Sequence, residues 1–204
     1  LEANLKYIPL PTKKEIYVNK FNKEPDFGDS VDVSSSYYTA DILNSRIDEV
    51  FNEYSHPRYG KLNEALSYNK KLIEEYSYSS LSLLALQLYD RARIKYFMGD
   101  YTNSINDINK AIQYESDDGD WYWLSIYKEL RCNINYVLGN FKDAKNDIDK
   151  VFFYKNFANE NIGDDLYILK ARILNAQGNF DEACTIFREC KNTDLSNFYL
   201  TKYC

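Results

Sequence analysis

The chain has 204 residues, with 25 Lys and Arg against 31 Asp and Glu, for a formal charge of −6 with its single His neutral. Its 45% hydrophobic and 16% aromatic content is too high for a disordered chain, and no stretch reaches the ~18–20 apolar residues of a membrane span. The acidic balance argues against nucleic acid, whose binders carry a basic face, and a lone His56 excludes a His-rich zinc site.

Residues 1–36 read as an extended, irregular segment. Ile8-Pro9-Leu10-Pro11 fits polyproline II, and Ile16 and Val18 alternate with polar neighbours like a short strand. Leu5, Tyr7, Ile8, Ile16, Val18 and Phe21 have no helical period. They would either lie along the rest of the molecule or belong to a tether. The first residue is Leu1, and no charged-then-apolar leader pattern follows it. The compartment is therefore open between cytoplasmic and exported or lipid-anchored after removal of a leader.

From 37 to 204 the pattern is helical. Ser34-Ser35-Ser36 precede a first helix at about 38–54, and His56-Pro57 follow in a polar turn. No proline occurs after Pro57, which removes the strongest helix breaker from the remaining chain. Further helices fall near 61–76, 79–98, 101–115, 121–138, 141–154, 163–177 and 180–191. The stretch 195–203, with Leu195, Phe198, Tyr199 and Leu200, reads as a last helix covering the end.

Glycines set a metre along this region. Gly60, Gly99, Gly139 and Gly178 are separated by 39, 40 and 39 residues, and a fixed period of this size marks a repeat array. Each opens the same pattern: a polar residue, a large apolar one, two polar ones, then Ala or Ser. Examples are Gly139-Asn140-Phe141-Lys142-Asp143-Ala144 and Gly178-Asn179-Phe180-Asp181-Glu182-Ala183. Glycine relieves the turn between two antiparallel helices, Asp or Asn supports the next helix start, and the small residue lets the helices approach closely.

These residues resemble the tetratricopeptide repeat (TPR) family over about 45–204, best over 80–192. Tyr101, Ser104, Ile108 and Ala111 match the family's second-helix pattern. So do Phe141, Ala144, Ile148 and Val151, and then Phe180, Ala183, Phe187 and Cys190. Ala92, Cys132 and Ala171, each seven residues before its glycine, match the small first-helix position. The unit at Gly60 departs, with Asn69 in place of a large apolar residue and Glu53 in place of the small one. The period exceeds the family's ~34, which calls for longer helices or inserted loops.

The resemblance implies an all-α fold, a right-handed α-solenoid of stacked antiparallel helix hairpins behind the irregular N-terminal extension. It implies a concave groove lined by first helices, whose ligand-facing positions here are Tyr89, Arg93 and Tyr96, then Glu129, Asn133 and Tyr136, then Ile168, Arg172 and Asn175. Arg93, Asn133 and Arg172 would present donors suited to carboxylates or peptide carbonyls. The same tyrosines could instead pack between units, and the arginines could pair with Asp90 or Glu129. The chaperone carboxylate clamp needs a Lys where Tyr89 stands, which disfavours that variant.

Catalytic and metal chemistry finds little support. No phosphate-binding glycine loop or HExxH motif occurs, and no Cys pair has the CxxC spacing. Asp117-Asp118-Gly119-Asp120 fails the calcium-loop register: with Asp118 first, the sixth position is Trp123. Cys132, Cys184, Cys190 and Cys204 are expected to be free and mostly buried, which leans to a reducing compartment, with a Cys190–Cys204 bridge open. The expected role is a non-enzymatic scaffold binding a protein or peptide, without cofactor or metal. The alternatives are a secretion or assembly chaperone clasping an unfolded client, and an accessory subunit of an enzyme complex. The oligomeric state is not readable.

Overall fold

A computed structural model describes residues 44–51, 59–76, 80–116, 121–190 and 193–204. The expected N-terminal segment, the outer parts of the 38–54 helix, Glu53, His56 and the Asp117–Asp120 loop lie outside these residues. The described chain is all α, without a β-strand. Helix α1 spans 44–50. A 3-10 turn at Tyr59–Lys61 leads into α2 (Leu62–Tyr76). Then come α3 (Leu81–Met98), α4 (Tyr101–Ser116), α5 (Trp121–Val137), α6 (Phe141–Phe157), α7 (Asp164–Ala176), α8 (Phe180–Glu189) and α9 (Thr193–Tyr203). The long period is carried largely by helix length: α3 to α6 run 18, 16, 17 and 17 residues.

Three hairpins share one turn. Gly99, Gly139 and Gly178 adopt φ of +78°, +78° and +85°, in the left-handed region open to glycine. Each closes its helix with the same pair of hydrogen bonds. In the first, Gly99 N donates to Tyr96 O at 3.0 Å and Asp100 N to Lys95 O at 2.9 Å. Asn140 N to Asn135 O (2.8 Å) and Asn179 N to Leu174 O (2.9 Å) repeat the longer bond. The α6–α7 connection obtains the same geometry without glycine: Asn159 sits at φ +56°, and Glu160 N donates to Lys155 O at 2.8 Å. Gly60 differs from the other three. It belongs to the 3-10 turn that starts α2 and has no positive φ. The expected Asp or Asn cap is present once, where Asp100 Oδ1 accepts from Asn103 N at 3.3 Å. Asn140 and Asn179 make no side-chain cap.

Within each hairpin the small residues meet. Ala92 faces Ser104, whose Oγ donates to Ala92 O at 2.6 Å. Cys132 Sγ lies 3.3 Å from Ala144 O. Ala171 and Ala183 share the last core cluster. All six are fully buried. The core is a chain of such clusters, from α1–α2–α3 through α3–α4–α5 and α5–α6–α7 to α7–α8–α9. Each cluster is shared between adjacent elements, the architecture of an α-solenoid.

A second repeated contact braces the hairpins. Arg91 grips Asp107 through Nε (2.8 Å) and Nη2 (2.7 Å), and Arg131 grips Asp147 in the same way (2.8 and 2.6 Å). Both pairs span 16 residues across the turn. Asp107 and Asp147 are almost fully buried, and Lys95 (2.7 Å) and Asn135 (3.4 Å) give each a further donor. The last hairpin has Ile186 at that position, and Lys170 turns to Asp149 at 3.6 Å instead. In the first unit, Asn69 is fully buried and donates to Gln87 O (2.8 Å) and Oε1 (3.2 Å), while Gln87 donates to Asn44 (2.9 Å). A polar relay thus replaces the apolar contact expected there.

The thiol expectation is corrected. Cys184 and Cys204 form a disulfide, and Cys132 and Cys190 are free. Cys190 lies just past the end of α8, whereas α9 folds back along α8 and brings Cys204 level with Cys184, 5.8 Å away between Cα atoms. Such a bridge persists in oxidising compartments.

Two predictions follow from this geometry. Gly139→Ala should destabilise by about 1–2 kcal/mol in denaturant unfolding, through backbone strain alone, because no atom lies within 4 Å of the added Cβ. Gly60→Ala, with equal space and no positive φ, should be near neutral; equal losses at both sites would contradict this turn assignment. Cys204→Ser should loosen α9 by roughly 3 kcal/mol, the constraint expected for closing a loop of this size, seen as faster amide exchange over 193–203. Cys190→Ser should leave that exchange unchanged.

Candidate functional site

The first helices α3, α5 and α7 lie side by side, with α9 continuing the row. Ring contacts fix this order. Tyr89 of α3 packs on Tyr127 of α5 at 5.1 Å between centroids. The Arg172 guanidinium of α7 lies 4.7 Å from the Tyr136 ring of α5 and 5.7 Å from the Tyr199 ring of α9.

The nine residues expected along this face divide by burial. Tyr96, Ile168 and Asn175 are 9%, 3% and 6% exposed, so their side chains belong to the interior. Tyr96 packs on Phe97 and Tyr101, and Ile168 lies in the cluster with Ala171, Phe187 and Tyr199. Asn175 leaves its buried Oδ1 without a hydrogen-bond partner among the described residues. The other six, Tyr89, Arg93, Glu129, Asn133, Tyr136 and Arg172, are half-buried.

Arg93 is held by its own chain. Its guanidinium stacks 3.8 Å over the Phe51 ring and reaches Asp90 at 3.4 Å and Asp48 at 4.0 Å. Asn133 turns inward along its helix, donating Nδ2 to Glu129 O at 2.9 Å. Burial lifts the Glu129 carboxyl above its ordinary range, with Lys155 opposing and Asp165 adding to the rise. Burial likewise raises the Tyr89 phenol, against the pull of Arg93. Arg172 differs from Arg91, Arg93 and Arg131 on the same row of helices. Among the described residues it has no ion pair and no hydrogen bond, only the two tyrosine rings.

Tyr127, Phe51 and Tyr199 were not expected at this face. Tyr199 and Tyr203, four apart on the last helix, were a usable signal, since that spacing puts both on one side. They stack at 6.0 Å.

A tetratricopeptide repeat family description matches residues 88–118 and 164–197. These segments take in most of the α3–α4 hairpin, and α7–α8 with the start of α9. A solved structure described as "MamA RS-1 ArsTM double mutant" has a TM-score of 0.55 to this chain at 14% identity, covering 77% of this chain and 75% of that one. That likeness concerns the fold. No curated protein matches the chain. Segments 88–118 and 164–197 carry the tetratricopeptide repeat pattern. The α5–α6 hairpin between the matched segments has the same glycine turn and the same small-residue contact. Tetratricopeptide repeats serve protein–protein interaction and are generally non-catalytic.

Among the described residues of the repeat array, no group of three His, Cys, Asp or Glu side chains could hold a metal ion. No described helix is long and apolar enough to cross a membrane. A separate aromatic cluster stands at the far end of the α5–α6 hairpin. Trp121, Phe153 and Phe157 are 45%, 55% and 69% exposed and lie within 6.4 Å of one another.

Asp90, beneath Arg93, is pushed up to about 7 by burial, with Arg93 opposing and Asp48 adding to the rise. The folded state therefore holds a proton there that the unfolded chain releases near pH 4. Stability from this group is fully present below that pH and falls as pH rises from about 4 to 7. Asp90→Asn should raise the thermal midpoint by about 2–5 °C at pH 8 and leave it unchanged at pH 4. A lower midpoint at pH 8 would instead make the Asp90–Arg93 attraction the dominant contribution.

Proposed function

We propose that this chain is a scaffold whose repeat array holds a peptide or protein segment of a partner along the face of α3, α5 and α7. The carrying observation is the half-buried set Tyr89, Glu129, Asn133, Tyr136 and Arg172. These residues are partly exposed and sit at one repeated register of the first helices, while the cores between helices are buried. Aromatic rings supply contact area at low entropic cost, and Arg172 and the Asn133 side-chain oxygen, which accepts no hydrogen bond from a described residue, supply polar anchors. Arg93, tied to Phe51 and Asp90, would act here mainly by shaping the α1–α3 end. Tyr96, Ile168 and Asn175 would support the face from below.

A photo-crosslinking amino acid placed at Tyr136, and separately at the exposed Lys110 of α4, tests this reading in the native host. A discrete adduct from position 136 and none from position 110 is expected. Equal adducts from both, or none from position 136, would remove the groove assignment. The exposed Trp121–Phe153–Phe157 cluster favours a second reading, a chaperone clasping unfolded clients, because contiguous exposed aromatics mark interaction surfaces.

A further inference from the structure

Arg172 has the residue type of a paired interior arginine but no ion-pair partner among the described residues. Arg91 and Arg131, each two positions earlier in its own repeat, are closed in bidentate carboxylate pairs. Arg93, the register equivalent of Arg172, rests on Phe51 with Asp90 and Asp48 at its head. At Arg172 the aromatic half of that environment recurs, with the Tyr136 ring at 4.7 Å and the Tyr199 ring at 5.7 Å. The acidic half does not: Arg93 is preceded by Asp90 at i−3, and Arg172 by Leu169. Among the described residues nothing neutralises it, in a chain of net charge −6. A guanidinium flanked by ring faces is preorganised, and its fork matches a carboxylate in two parallel hydrogen bonds.

The residues also run in a line. Tyr136 comes from α5, Arg172 from α7 and Tyr199 from α9, so a strand crossing these helices passes over the Tyr136 ring and the cation, with the buried Tyr199 ring backing the guanidinium from α9. A segment that continues past Arg172 in both directions offers it a side chain, not a chain end.

Resting on the groove reading above, we propose that Arg172 is the specificity anchor of the partner site, and that it receives the side-chain carboxylate of an Asp or Glu in an extended segment, framed by Tyr136 and Tyr199.

The test is selection on the intact chain with a displayed random-peptide library. Each peptide is fused through its C terminus, so no terminal carboxylate is present. Selected peptides should share an Asp or Glu at one fixed position. Synthesised with amidated ends, they should lose roughly tenfold or more affinity when that residue becomes Gln or Asn, a comparison that needs no protein variant. Arg172→Gln should lose binding to a similar degree with an unchanged circular dichroism spectrum, and Arg172→Lys should retain part of it. Peptides that share no acid, or that bind equally after its amidation or to Arg172→Gln, would overturn this assignment and leave the groove reading standing. Failure of the intact chain to select any peptide would overturn both.

Discussion

The whole array depends on how closely the two helices of a hairpin approach at one buried point. Ala92 against Ser104, and Cys132 against Ala144, leave room for a side chain to reach the facing backbone carbonyl, at 2.6 and 3.3 Å. A larger residue at either place would push the axes apart, because interiors are packed without slack. The glycine turn makes the approach possible, since only a left-handed residue reverses the chain within two positions while satisfying the freed carbonyls. The Arg91–Asp107 and Arg131–Asp147 pairs then brace the same hairpins on either side of that contact. Spacing of the first helices, and so the width of the face they share, follows from these fixed points.

The two ends of that face are finished differently. At the α3 end, α1 supplies Phe51 and Asp48, and α3 itself supplies Asp90, so Arg93 is satisfied within the chain. At the α7 end, α9 supplies Tyr199 and Tyr203 but no described acid against Arg172. Arginines at the same repeat position thus have different fates, decided by the neighbouring element. Asp90 accounts for part of the contrast. Burial raises its carboxyl to about 7 against the opposing pull of Arg93, so above that pH its charge balances the guanidinium.

Much of this was legible beforehand, and the failures have identifiable causes. Gly99, Gly139 and Gly178 announced the turns because an αL residue has few substitutes, and the small residues seven before them announced the close contacts. Gly60 broke the rule: it carries the same sequence pattern but starts a helix, and pattern alone does not report φ. The Arg91–Asp107 spacing recurs as Arg131–Asp147 and could have been found as a second period. It was obscured because charged residues usually solvate a helix face. Tyr96, Ile168 and Asn175 were placed on the open face by register. Their burial depends on how far α9 and α4 wrap round, which no single helix encodes. The Cys184–Cys204 bridge was missed for a similar reason, since choosing between Cys184 and Cys190 requires the direction in which α9 returns.

That bridge bears on the open arginine. In a repeat array each unit contacts only its neighbours, so stability is a sum of local interfaces. Here α9 packs chiefly on α8 and contributes a ring 5.7 Å from the Arg172 guanidinium. Tyr199 moves with α9, so the placing of the ring beside the guanidinium depends on how α9 is held. The Cys184–Cys204 link restrains that helix without touching the interfaces upstream. Stacking of Tyr199 on Phe187 at 5.0 Å carries the restraint from α8 directly to the ring that faces Arg172. The covalent link thus steadies the ring beside a cation that no described residue pairs.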